Sequence, residues 1–108
     1  MKNMSETVNE KDWKLFRSSL PVWQESYIER IIDEYKTLLN GDMPASEKFR
    51  TLNERINRDK ENPGVIISGI SRSNMWMHLV QLRLNGVIRS DDLKGFSDEL
   101  RERIEKNM

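Results

Sequence analysis

The sequence predicts an all-α fold, a compact bundle of about five short helices, and three observations carry that expectation. Apolar residues recur at spacings of three and four along most of the chain. Proline, glycine and asparagine punctuate those runs at intervals suited to short turns. Apolar residues make up 36% of the chain and charged residues 33%, lean in core material but sufficient for amphipathic helices with a heavily charged surface. With 108 residues the chain fits one domain, 1–108, around one core.

The first element is read from Trp13, Phe16 and Leu20, which share one face of a short helix between about Glu10 and Ser18. Ser18, Ser19 and Pro21 interrupt it, and Pro21 suits the first turn of a second helix, where its missing N–H has no partner to lose. That second helix carries Ile28, Ile31, Ile32, Tyr35, Leu38 and Leu39 as a core-facing stripe, extended upstream by Trp23 and Tyr27. Asn40 and Gly41 supply a left-handed stop. A third helix starts at Pro44, Ser46 and Glu47, shows a narrow apolar face of Phe49, Leu52 and Ile56, and ends near Lys60. Asn62, Pro63 and Gly64 break the chain.

Residues 65–70 are open between helix, strand and loop, because Val65, Ile66 and Ile67 are too few for a period to show. Met75 to Leu84 is apolar on most sides, as expected of a central helix, and closes at Asn85 and Gly86. Ser90 reads as the N-cap of a last helix from Asp91 to Lys106, with Asp91 and Asp92 complementing its dipole and Leu93, Phe96, Leu100 and Ile104 as its stripe.

Charge and composition exclude more than they identify. Lysine plus arginine and aspartate plus glutamate stand at 18 each, so no overall field selects a partner. The absence of cysteine removes disulfides, thiolate metal sites and thiol nucleophiles, and fits a reducing cytoplasm. Met1 to Asp12 is polar, without the apolar run of an export signal, and the longest aliphatic run is far short of the roughly 20 residues that span a bilayer. A cytoplasmic protein without membrane contact is expected.

No motif announces catalysis. His78, the only histidine, sits in the most apolar helix and has no carboxylates at ligand spacing, so neither a metal nor a cofactor is expected. Asn85-Gly86-Val87-Ile88 resembles part of a calcium loop, but Gln81 and Arg83 stand where carboxylate ligands belong. Glu25, Glu29, Asp33 and Glu34 form a catalytic site only if two of them converge in a closed pocket. A DNA-reading corner built on the last two helices is opposed by acidic residues on the second of them, including Asp98, Glu99, Glu102 and Glu105.

Two binding expectations remain. Residues 46–89 hold eight basic and four acidic side chains, net +4, which suits an anion, a nucleotide or nucleic acid unless pairs such as Glu54 with Arg58 neutralise the face. Within that region Ser71, Arg72, Ser73 and Asn74 precede the central helix, whose free N–H groups favour an anion; with Arg58 they form the candidate anion site. The leading expectation is instead a helical interaction or regulatory module, contacting a protein partner or a second copy in a homodimer. Trp23 and Met75 are its candidate partner surface.

Several local patterns stand together: Lys11-Asp12-Trp13, Ser19-Leu20-Pro21, Asn62-Pro63-Gly64-Val65, Ser71-Arg72-Ser73-Asn74-Met75 and Phe96-Ser97-Asp98-Glu99-Leu100. With Tyr27 and Tyr35, and with Asp92-Leu93, they resemble short bacterial all-helical proteins of unassigned function. Some similar sequences carry the label multidrug transporter, which a chain without a spanning segment contradicts. The resemblance brings no catalytic or binding residue with it.

Overall fold

The computed structural model describes residues 9–108, so the polar N-terminal stretch lies outside the described residues up to residue 8. Four α-helices follow in order: α1 Glu10–Leu39, α2 Ala45–Asp59, α3 Met75–Leu84 and α4 Asp98–Lys106. A 3-10 turn, Ser90–Leu93, precedes α4. Among the described residues there is no strand, and no helix is long and apolar enough to cross a membrane.

The first two expected helices are one. α1 runs for 30 residues straight through Pro21, about 45 Å of helix. A proline inside a helix forfeits one hydrogen bond and crowds the preceding turn, a cost of about 3 kcal/mol. Here the apolar stripe does not change face at the proline. Trp13, Phe16 and Leu20 before it are buried, and Trp23 and Tyr27 after it pack against the same core. Breaking the helix at Ser18 would uncouple those two sets, whereas the Pro21 ring lies exposed on the opposite side. Asn9 caps the start by accepting from the N–H of Lys11 at 2.8 Å.

α1 also ends differently from expectation. Asn40 stays right-handed (φ −87°, ψ 0°), and Asn40 and Gly41 donate back to Lys36 and Leu38 in a tightened last turn. Left-handed glycines occur at Gly69 and Gly86. Gly86 closes α3: its N–H donates to Arg83 O and that of Val87 to Leu82 O, the paired bonds of a Schellman stop. Arg30 of α1 then covers the exposed carbonyl of Gly86 at 2.9 Å. The turn inserts Val87 and Ile88 into the core.

The last expected helix, in contrast, divides. Ser90 to Leu93 form only the 3-10 turn, and Ser97 is the true N-cap of α4, accepting from the Leu100 N–H at 3.3 Å. Asp12 of α1, almost fully buried, fixes that cap: it accepts the Ser97 N–H at 2.8 Å and the Ser97 hydroxyl at 2.5 Å. Because Gly95 passes against Leu15, the chain can turn there while Leu93, Phe96, Leu100 and Ile104 all remain buried. Residues 65–70 are turn and irregular backbone, with Ile67 packed on the core and Ile66 exposed.

The molecule is elongated, 64 × 24 × 23 Å, with a radius of gyration of 17.2 Å. A compact chain of this length has about 13 Å, so the expected compact bundle is corrected. The first half of α1 with α3, the 3-10 turn and α4 forms a head that holds the main core. The second half of α1 continues out of it, accompanied by α2, as an arm.

Candidate interaction surface

α1 and α2 run antiparallel, joined by the short turn 40–44. Their seam is mostly polar. Tyr35 Oη donates to Asp59 Oδ2 at 2.6 Å. Arg55 Nη2 donates to Glu34 Oε1 at 2.6 Å and lies 3.7 Å from Asp59, with its guanidinium over the Tyr35 ring. Lys48 Nζ donates to Leu39 O at 2.7 Å near the tip. Burial and the bond to Asp59 push the Tyr35 phenol up to about 12, and the Glu34 carboxylate holds Arg55 above its ordinary value. Ile31 is the arm's only buried apolar side chain.

Ile28, Leu38 and Leu52 are half-buried, and four apolar side chains of the arm are left outside. Phe49 is 77% exposed, and Ile32, Leu39 and Ile56 are each 43% exposed. Helical geometry puts them together. At about 100° per residue, Ile28, Ile32 and Leu39 lie roughly a quarter turn around α1 from the side that meets α2. By the same geometry Phe49 and Ile56 lie about a quarter turn around α2 from its contact with α1. Since the helices are antiparallel, the two rotations point the same way, and the stripes share one flat side of the arm. Of the other exposed apolar residues, Val22 lies near the middle of α1, Ile66 and Ile70 in the loop after α2, and Met77 and Leu84 two turns apart on α3.

The candidate partner pair read from the sequence is not this surface. Met75 is 3% exposed and sits in the main core. Trp23 is half-buried against Phe96. The narrow stripe Phe49, Leu52 and Ile56 was the available signal, and its neighbours did not tell whether the chain itself would cover it.

The candidate anion residues do not meet. Arg72 donates to Glu10 Oε1 at 2.7 Å and lies over the Trp13 ring, tying the loop to the start of α1 and holding the Glu10 carboxyl below its usual range. Arg58 lies beside Asp59, at 3.6 Å and not against Glu54. About 25 residues of α1 separate Glu10 from Tyr35, the partner of Asp59, roughly 35 Å. Ser71 and Asn74 satisfy each other: the Ser71 N–H donates to Asn74 Oδ1 at 2.8 Å, and the Asn74 amide donates to Gly69 O at 2.8 Å. Ser71 and Ser73 hydroxyls lie 3.2 Å apart. Neither serine caps α3; Asn74 holds the cap position without a side-chain bond to the helix.

Two open clefts flank the scaffold. One, about 560 Å³, lies where the arm leaves the head and is lined by Tyr27, Glu34, Arg55, Asp59, Asn62 and Gln81. The other, about 520 Å³, lies along α4 beside Arg101, Glu102 and Glu105. Among the described residues no group of three or more histidines or carboxylates converges as a metal site. Glu25, Glu29 and Asp33 are exposed, and Glu34 is engaged by Arg55. His78 Nε2 is buried without a partner, and desolvation lowers its imidazole below the ordinary value. No family model, curated protein or solved structure matches the chain.

Proposed function

We propose that this chain is a small cytoplasmic interaction or regulatory module that works by presenting the flat apolar side of its α1–α2 arm to a helical protein surface. The carrying observation is Phe49, 77% exposed beside the other apolar residues of that side. Burying a side chain of this kind contributes about 1.5–3 kcal/mol, and contiguous apolar patches of small soluble proteins are commonly contact sites. The head, with its closed core, holds the arm in place.

The test is a photo-crosslinking residue introduced at Phe49 and, separately, at Glu99 on α4, followed by illumination in the source cell. A discrete protein adduct from position 49 and none from position 99 is the expected result. Equal labelling at both positions, or none at either, contradicts the reading.

Anion or nucleic-acid binding through residues 46–89 has less support. Lys48, Arg55, Arg72 and Arg83 each have a partner within the chain. Binding of this kind would weaken steeply with salt.

A further inference from the structure

We propose that the occupant of the arm's apolar side is a second copy of this chain, docked with α1 of each copy over α2 of the other. The assignment rests on the interaction reading above and adds the identity of the partner.

Charge on the two rails of the arm argues for it. From Glu25 to Leu39, acidic residues on α1 outnumber basic ones by four to two. From Ala45 to Lys60, basic residues outnumber acidic ones by five to three. With the seam residues Glu34, Lys48, Arg55 and Asp59 set aside, helical geometry leaves Glu25, Glu29 and Asp33 with Lys36 along the outer edge of the apolar side on α1, and Arg50 with Lys60 along its outer edge on α2, an acidic rail and a basic one. A uniformly acidic or uniformly basic partner would match one rail and oppose the other. The same face turned by a two-fold axis along the arm matches both, because an isologous contact sets each patch against its own rotated image. A two-fold axis across the arm would instead stack α1 on α1 and α2 on α2, like charge on like.

The internal register makes the match specific. Arg55 stands opposite Glu34, and the same antiparallel register sets Lys60 level with Glu29. Both flank the apolar side by the helical geometry above, and both are exposed. With the axis along the arm, levels are preserved, so Glu29 of each copy comes beside Lys60 of the other. The apolar centre supplies the affinity, and the paired rims select the arrangement.

Sedimentation equilibrium of the full chain tests this. The wild type is expected to be a dimer, and Phe49→Asp, at a side chain that no core contact needs, to weaken association at least tenfold with unchanged helical content. Glu29→Lys and Lys60→Glu each place like charges together twice and should each weaken self-association, while an equimolar mixture should restore it by pairing both sites. A wild type that is monomeric at hundreds of micromolar, a dimer indifferent to Phe49→Asp, or a mixture no tighter than its components overturns the proposal. A monomer that still crosslinks through position 49 to a different protein removes the second copy but keeps the interaction reading. A monomer that crosslinks to nothing removes both.

Discussion

Asp12 shows how much one buried carboxylate decides. It stands in register with Phe16 and Leu20 on the core side of α1 and joins the first helix to the cap of the last through both Ser97 bonds. Asp12→Ala leaves that cap without its acceptor and should destabilise the protein by about 2 kcal/mol in urea unfolding. His78 is a second single-residue probe. Its folded imidazole lies below the unfolded value of about 6.5 because burial disfavours the charge. The unfolded chain therefore takes up the proton first, and the stability present above pH about 6.5 declines as pH falls through the folded value. His78→Leu should flatten that acid limb, and an NMR titration of the sole histidine should show the depressed midpoint. Tyr35 has the opposite sign. Its neutral phenol stabilises the arm fully below pH about 10, and that contribution fades as pH rises towards about 12. Tyr35→Phe should remove the latest tyrosinate transition from an absorbance titration.

At the scale of elements, the long helix and its neighbours turn on Pro21 and Gly64. Pro21 is exposed and mid-helix, so Pro21→Ala restores a backbone bond without disturbing packing and should stabilise the protein by about 1–3 kcal/mol. Gly64→Ala should do the reverse, by a similar amount. A Cβ there would lie 2.7 Å from both Tyr27 Cγ and Val87 Cγ2, so this glycine serves close approach and not an unusual backbone angle. Thermal or urea unfolding reads both. Periodicity made α2, α3 and the buried face of α1 at Trp13, Phe16 and Leu20 legible in the sequence, because each depends on local spacing alone; Ile32 and Leu39, expected to face the core, are exposed because nothing in the chain covers that side of the arm. It misplaced the join at Pro21 and the break at Ser97, because those depend on which distant side chains share a core. Pro21 is outweighed by packing on both sides, and α4 is started by a carboxylate 85 residues away in sequence.

At the scale of the whole molecule, the departure from a compact bundle is what creates a candidate site. A sequence shows that Phe49, Leu52 and Ile56 form a stripe, but only the arrangement of helices shows that Phe49 and Ile56 remain uncovered and share a side with Ile32 and Leu39. The loop Ser71–Asn74 had the right residue types for an anion, yet its groups are satisfied by one another and by Glu10. The charge asymmetry of residues 46–89 is legible, while its dispersal into separate contacts is not. The arm stands clear of the head, with its apolar side uncovered by its own chain. Small-angle X-ray scattering of the Phe49→Asp variant in dilute solution tests it most directly. An elongated particle with a radius of gyration near 17.2 Å is expected; a value near the roughly 13 Å of a compact chain would mean that the arm folds back and buries its own face, leaving no apolar side to present.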